Sequence, residues 1–357
     1  MKKIIYLMNV DWKWIKQRPH FLVERLSEKY DLTAAYQHRY HRKGLQKRYD
    51  KQIKLFPLYV VPVVDRISSL KWINKKILTS EMNYLIRKIN PDVIILTFPT
   101  QIIMIPSNYT GRIIYDCMDN HAAFIENDIK RKQIEEKEAL LLKRSSIVFA
   151  SSNYIAAMIK NKYQVSSTKI QLLRNAYDGK ILNIKKNSSV KSYYFKLAYV
   201  GTISDWFDWE TIMYLIESQE NIEFHIYGPV SKGLIPNKTQ IIYHGTIEHE
   251  DIYNAVEDID ILVMPFKINE IIKAVDPVKL YEYINFNKNI IVSKFDEISR
   301  FEPFVYFYST KNEFVEIVKQ LQSNNVLKYS TDKRIEFLSE NSWDCRVNEM
   351  CSIIDLL

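Results

Sequence analysis

The chain has 357 residues, of which 47% are hydrophobic and 13% are aromatic, and a formal net charge of +8. This length exceeds one ordinary hydrophobic core and predicts two domains of about 150–200 residues each. Three cysteines without metal-binding spacing indicate a reducing compartment and argue against a disulfide-rich secreted domain. The apolar run at the N-terminus is too short for a signal peptide, and no stretch reaches the roughly 18 apolar residues of a membrane span. We therefore expect a cytoplasmic protein.

The first half of the sequence alternates short hydrophobic runs with helical patterns. The predicted strands are 3–8, 92–97, 112–115, 146–151 and 170–173, and the predicted helices are one that ends near residue 29, then 125–144 and 154–163. Strands that alternate with helices predict a parallel, doubly wound α/β sheet.

The loop after the first strand is unusually rich in residues that can bind ligands. In an open α/β sheet such a loop lies at the carboxyl edge, where ligands bind. We expect substrate contacts from Asp11, Trp12, Trp14 and Arg18. His20 is equally explained as a buried structural histidine.

A second polar cluster follows the strand predicted at 112–115. It holds Asp116, Asp119 and His121 at the carboxyl end of a parallel strand. We expect Asp119 and His121 to contact a polar substrate, whereas Asp116 has an alternative role in binding backbone N–H groups of the turn. A metal site is not expected because no third ligand is evident.

Two segments, 37–54 and 70–89, combine basic and aromatic residues. They are candidates for contact with an anionic membrane surface, which would hold the protein at the inner face of the cell membrane. The alternative is a solvated loop and an ordinary surface helix. Nucleic acid is not expected as a partner because no nucleic-acid-binding motif accompanies the charge.

A polar, basic stretch without periodicity, 179–195, separates the two halves and predicts a linker. The predicted domains are 1–178 and 196–330, followed by a C-terminal segment at 331–357. In the second domain the predicted strands are 197–200, 223–227, 241–246, 259–264 and 304–308, the predicted helices are 248–256 and 313–322, and a last helix runs over 343–357.

The stretch 274–292 carries the strongest functional signal. Asp276 suits a helix N-cap and Pro277 the first helical position, so that Lys279 falls in the first turn and Glu282 on the same face. The N-terminus of a helix attracts phosphate, and Lys279 adds a full charge. Glu282 is placed to accept hydrogen bonds from the vicinal hydroxyls of a ribose. The alternative is a surface Lys–Glu pair of little energetic value.

This stretch resembles the donor-nucleotide motif of retaining, family-4-like GT-B glycosyltransferases, particularly the branch that includes teichuronic-acid and capsule enzymes. The matching residues are Asp276, Pro277, Lys279, Glu282, Tyr283 and Lys288. Two positions depart from the motif. Its usual glycine is Asn287, which tolerates a left-handed backbone, and the first glutamate of the wider family is Ala274 here.

The resemblance implies a GT-B fold, in which two Rossmann-like domains face each other across a cleft, and a last helix (331–357) that returns to the N-terminal domain. It implies a nucleotide-sugar co-substrate, a UDP-sugar in our expectation, with no cofactor and no metal, and a polysaccharide or lipid-linked glycan acceptor. The donor would be bound by Gly201, Thr202, Gly245, Asp276, Pro277, Lys279 and Glu282, and catalysis with retention would involve Asp119, His121 and Lys279. Thr202 departs from the arginine of the wider family.

Two alternatives remain open at this point. A sugar-nucleotide epimerase shares this fold and donor but needs no acceptor surface. A non-catalytic nucleotide-sugar-binding protein would explain Ala274 and Thr202, although the intact motif around Lys279 argues against it.

Overall fold

The computed structural model describes residues 1–38, 53–61, 71–184 and 193–357. They form two compact units: Met1–Asn175 together with Trp343–Leu357, and Ala176–Ser342. The division therefore splits the predicted C-terminal segment, because residues 331–342 belong to the second unit and residues 343–357 to the first.

The first unit is built on a seven-stranded sheet in which every neighbouring pair is parallel. Its strands are β1 Lys3–Met8, β2 Asp31–Gln37, β3 Lys54–Leu58, β4 Val93–Leu96, β5 Arg112–Cys117, β6 Ile147–Ala150 and β7 Ile170–Leu172. Its helices are α1 Arg18–Leu26, α2 Lys71–Ile89, α3 Asp128–Arg144, α4 Asn153–Tyr163 and, from the end of the chain, α11 Trp343–Ile354. The strand order is β3-β2-β1-β4-β5-β6-β7, so the direction of winding reverses between β1 and β4.

The second unit repeats this plan with a six-stranded parallel sheet. Its strands are β8 Phe195–Val200, β9 Ile222–Tyr227, β10 Ile241–Gly245, β11 Ile261–Met264, β12 Asn289–Ser293 and β13 Val305–Tyr308. Its helices are α5 Trp209–Ser218, α6 Ile252–Ala255, α7 Glu270–Ala274, α8 Val278–Asn285, α9 Lys311–Ser323 and α10 Thr331–Glu340. The order β10-β9-β8-β11-β12-β13 reverses between β8 and β11.

Burial explains why the central strands read as continuous apolar runs. All side chains from Ile4 to Met8, and all from Val93 to Leu96, are buried, as expected where helices cover both faces of a parallel sheet. Ligands bind such sheets outside the carboxyl ends of the strands, where the winding reverses. In this chain those places are the ends of β1 and β4 in the first unit and of β8 and β11 in the second.

The prediction of parallel α/β sheets is confirmed, but several elements were not predicted. Strands β2 and β3 were missed; β3 is an edge strand and contains Pro57, which an edge position tolerates. Strand β12 and helices α5, α7 and α10 were also missed. Asn287 does adopt the left-handed conformation, with φ of 58°.

The last helix, α11, packs against α1 within the first unit. Trp343 is fully buried there, and its ring stacks on that of Phe21 with a centroid distance of 5.0 Å. Within the described residues, none of the helices combines the length and the hydropathy that a membrane span requires.

Candidate functional site

In the second unit, Lys279 lies in the first turn of α8 and its side chain crosses Gly201, the residue that follows β8. A Cβ atom on Gly201 would lie 2.1 Å from Cε and 3.0 Å from Nζ of Lys279. The φ angle of Gly201, +156°, is also one that other residues rarely adopt. Glycine at this position therefore allows the lysine to lie across the end of the strand.

The backbone beneath Lys279 is held by side chains and by a second glycine. The hydroxyl of Tyr283 accepts a 2.8 Å hydrogen bond from the Val200 N–H, and the Gly201 N–H donates to the Tyr227 carbonyl at 2.7 Å. A Cβ on Gly228 would lie 2.2 Å from the Gly201 carbonyl oxygen. These contacts fix the end of β8 against both the helix and β9.

The surroundings of the Lys279 ammonium group are suitable for binding an anion. Desolvation by the surrounding protein lowers its pKa, and the nearby Glu282 carboxylate partly opposes this effect. Among the described residues, Lys279 takes part in no ion pair and in no side-chain hydrogen bond. A desolvated cation at the positive end of a helix dipole is a suitable site for a diphosphate.

The predicted capping role of Asp276 is wrong. The helix begins at Val278 with Pro277 at the capping position, and the Asp276 carboxylate is instead buried against the guanidinium of Arg300 and the hydroxyl of Tyr281. A buried carboxylate requires a compensating charge, and Arg300 supplies it from a later turn of the chain. Asp276 therefore shapes the loop that precedes α8.

Glu282 lies one turn beyond Lys279 and is bound by a residue that the sequence did not reveal. Its Oε1 lies 2.8 Å from Nε2 of His249, in the turn that precedes α6. The side chain of Glu282 is 18% exposed and that of His249 is 68% exposed, so the pair lies at the surface of the unit.

The two remaining loop residues of the predicted donor set, Thr202 and Gly245, lie just after β8 and at the end of β10. The Thr202 carbonyl accepts a hydrogen bond from the Tyr199 hydroxyl at 3.1 Å. Gly245 ends β10 with φ of +76°, and a Cβ there would meet no atom within 4 Å. The structure thus brings Lys279 and Gly201 into direct contact. Among the described residues, neither Thr202 nor Gly245 forms a hydrogen bond with Lys279.

In the first unit, Arg18 is buried and its guanidinium makes a paired interaction with Asp116. Its Nη2 lies 2.7 Å from Asp116 Oδ1, and the Tyr6 hydroxyl donates to Oδ2 at 2.8 Å. The Nη1 atom of Arg18 also donates to the Arg174 carbonyl and to Asn175, each at 3.2 Å. Arg18 therefore links the ends of β5 and β7, and its predicted contact with a substrate stays a prediction.

The other residues of the first loop are also ordered by local contacts. Asp11 is buried; its carboxylate accepts from the Lys13 N–H at 2.9 Å and lies 3.2 Å from Nδ1 of His38. Trp12 is buried, with its ring 5.2 Å from that of His20, while Trp14 is half-buried.

His20 is the structural histidine that the sequence left as one alternative. Its Nδ1 accepts from the Gln17 N–H at 3.1 Å, and its Nε2 lies 3.1 Å from the Trp12 carbonyl. Both ring nitrogens are therefore used to shape the loop, in the tautomer that carries the proton on Nε2.

Asp119 and His121 follow β5, and their surroundings favour the neutral form of both. Desolvation raises the pKa of Asp119 to about 7, although the positive charge of Arg18 opposes this. Burial lowers the pKa of His121 to about 4, against the effects of a hydrogen bond to the Thr97 backbone and of the Asp116 charge. Carboxyl groups with a pKa near neutrality are typical of functional sites.

Three buried polar atoms at this edge of the first sheet have no hydrogen-bond partner among the described residues: Asn9 Oδ1, Trp12 Nε1 and His121 Nε2. Because Nε2 of His121 is unpartnered, its bond to Thr97 must come from Nδ1, which leaves Nε2 as an acceptor in the neutral ring. Unsatisfied buried polar atoms are costly and often mark a ligand site. Asn9 was not predicted, although it directly follows β1.

The part of the chain that the structure describes contains no candidate metal site. No group of three or more His, Cys, Asp or Glu side chains there could hold a metal ion.

Comparison with known proteins finds similarity to bacterial glycosyltransferases in sequence and in fold. No family model matches the chain. The chain is 22% identical over 255 residues to the putative teichuronic acid biosynthesis glycosyltransferase TuaH of Bacillus subtilis; the match covers 66% of this chain and 64%, or slightly under two thirds, of that relative.

Two solved structures show the same fold over their full length. HepE of Anabaena, in complex with UDP and glucose, superposes with a TM-score of 0.73 at 12% identity and covers 100% of both chains. A point mutant of S. aureus TarM, in complex with fondaparinux, α-GlcNAc-glycerol and UDP, superposes with a TM-score of 0.70 at 11% identity, and the match covers 99% of both chains. The predicted resemblance to GT-B glycosyltransferases is thereby confirmed.

Proposed function

From the premise that the chain is a GT-B protein akin to bacterial glycosyltransferases, we propose that it transfers a sugar from a UDP-sugar to a glycan acceptor of the cell envelope. The second unit binds the donor. The acceptor is a polysaccharide or a lipid-linked glycan.

One observation carries this proposal: the desolvated ammonium of Lys279 at the N-terminus of α8, seated against Gly201. A diphosphate placed there receives a full positive charge and the positive end of the helix dipole. Pro277 cannot donate a backbone N–H, so the first free donors belong to the helix itself. Glu282, one turn further along, accepts from the ribose hydroxyls.

The donor site is tested by isothermal titration calorimetry with UDP, GDP, ADP and CMP against the wild type, Lys279→Ala and Glu282→Ala. The matched control is Lys319→Ala, an exposed lysine on α9. We expect UDP to bind most tightly and both site variants to lose at least about tenfold in affinity, since each loses a charged hydrogen bond. Absence of binding by the wild type refutes the donor proposal, and loss in Lys279→Ala alone refutes the ribose role of Glu282.

Catalysis in this proposal rests on positioning and on electrostatic stabilisation of the departing diphosphate. As the bond to the sugar breaks, negative charge grows on the β-phosphate, and Lys279 stabilises that charge more strongly in the transition state than in the bound donor. The anomeric configuration is retained. Proton NMR of the product tests this: an inverted linkage refutes retention, and conversion of the UDP-sugar without any acceptor favours an epimerase.

The first unit binds the acceptor and the sugar ring with Asp11, Trp12, Trp14, Asp119 and His121. The unpartnered atoms Trp12 Nε1 and His121 Nε2 support this role, because one can donate to a sugar hydroxyl and the other can accept from one. Arg18 contributes by holding Asp116.

Helix α2 supports a peripheral membrane location. Trp72 and Tyr84 are 54% and 55% exposed, and the exposed residues of the helix include Lys75, Lys76, Arg87 and Lys88. Most of the other basic segment, 37–54, lies outside the described residues. The test is cosedimentation with vesicles: binding that requires phosphatidylglycerol and falls with salt supports the proposal, and equal binding to neutral vesicles refutes it.

A further inference from the structure

The pair formed by Glu282 and His249 joins two separate parts of the second unit. His249 lies between β10 and α6, 33 residues before Glu282 on α8. The contact, at 2.8 Å from Nε2 to Oε1, is short enough for a charge-assisted hydrogen bond. It lies one helical turn from Lys279, on the side of the proposed ribose.

A carboxylate can accept about four hydrogen bonds, so one bond from an imidazole leaves capacity for two hydroxyl groups. The imidazole restricts the rotation of the glutamate side chain. When protonated, it also places a positive charge beside the carboxylate, which strengthens the hydrogen bond between them. Both effects preorganise an acceptor of hydroxyl groups before the ligand arrives.

We propose that His249 is a positioning residue of the donor site, which orients Glu282 toward the vicinal hydroxyls of the donor ribose. This inference rests on the donor site proposed above. His249 acts through Glu282 and does not itself contact the nucleotide.

Among the described residues, the charged groups that act on His249 are three carboxylates: Glu282 from α8, Asp178 from the segment after β7, and Glu250 from its own turn. The hydrogen bond to Glu282 raises the pKa of His249, with burial opposing it and the three charges adding to it. The imidazolium donates from Nε2 in every case, whereas the neutral ring does so in only one tautomer. The positioning effect is therefore fully present below the ordinary pKa of about 6.5 and declines as pH rises through the raised pKa.

A cycle of protein and ligand changes tests the proposal. The affinities of wild type and His249→Ala are measured by calorimetry at pH 6.5 for UDP and for 2′,3′-dideoxy-UDP, which lacks both ribose hydroxyls. We expect His249→Ala to weaken UDP binding by about fivefold to tenfold and dideoxy-UDP binding by less than about twofold. Equal losses for the two ligands, or no loss for UDP, overturn the proposal, because a merely structural histidine cannot distinguish the hydroxyls.

A conservative variant adds a second readout. The amide of His249→Gln can donate to Glu282 but does not titrate. We expect this variant to retain most of the UDP affinity. We also expect it to lack the decline in affinity that the wild type shows as the pH rises above about 6.5, the ordinary pKa of histidine. Persistence of the wild-type pH profile in His249→Gln overturns the proposal. A wild type that binds no UDP at all overturns the donor site as well, which separates the two failures.

Discussion

The contact between Gly201 and Lys279 makes a specific prediction for Gly201→Ala. The new methyl group would lie 2.1 Å from Lys279 Cε and 2.8 Å from the Tyr199 hydroxyl. Both are side-chain atoms, and the end of the lysine is flexible, so the ammonium moves while the backbone stays in place. The positive φ of residue 201 adds strain of about 1–3 kcal/mol.

The effect on binding follows from the displaced charge. At an effective dielectric constant of about 20, a cation about 4 Å from a phosphate contributes about 4.2 kcal/mol, and one about 7 Å away contributes about 2.4 kcal/mol. A displacement of this size costs about 1.8 kcal/mol, or a loss of about 20-fold in UDP affinity. Calorimetry measures the affinity, and thermal unfolding measures the strain.

The matched control is Gly233→Ala. Gly233 also has a positive φ, +85°, but a Cβ there meets no atom within 4 Å. We expect it to lose stability from the backbone and to keep its UDP affinity. If a folded Gly201→Ala binds UDP as tightly as the wild type does, Lys279 does not bind the diphosphate from this position and the reasoning is refuted.

Three further predictions concern the first unit. Arg18→Ala leaves the carboxylate of Asp116 buried without its cation, so urea unfolding should show a loss of about 3–5 kcal/mol; a loss below about 1 kcal/mol contradicts the ion-pair assignment. Asp119→Asn should stabilise the protein at pH 8, by up to about 4 kcal/mol, and have little effect at pH 4. The reason is that the raised pKa of the Asp119 carboxyl makes the wild type lose stability as the pH rises toward about 7. Thermal melting at both pH values checks this, and equal shifts of the melting temperature at the two pH values refute it. Trp343→Ala should cost about 3–5 kcal/mol because its buried ring packs on Phe21, whereas substitution of the exposed Leu356 should change the free energy of unfolding by less than about 0.5 kcal/mol.

Local patterns in the sequence were sufficient for the fold class and for the placement of two residues of the proposed donor site on one helix. Hydrophobic runs of strand length, alternating with helical patterns, depend only on the side chains of each segment, and they predicted β1, β4 and β5 to within two residues at each end. Helical spacing likewise placed Lys279 and Glu282 on one face of α8, because residues three apart in a helix are neighbours whatever surrounds them.

Strands β2 and β3 show where this local information ends. Neither strand is a long apolar run, and β3 contains Pro57, which argues against a central strand. Their place in the sheet is set by pairing with β1 and with each other, which no pattern within the segments encodes.

The partners of the charged residues were decided only by the tertiary structure. Arg18 meets Asp116 across 98 residues, Asp276 meets Arg300 across 24, and Glu282 meets His249 across 33. A buried charge requires a partner, but the sequence around it does not identify that partner, because only the folded backbone determines which groups come within hydrogen-bonding distance. The sequence by itself therefore determined which residues carry the charge. The tertiary structure decided which of them are bound to one another and which, like Lys279, have no ion-pair partner among the described residues.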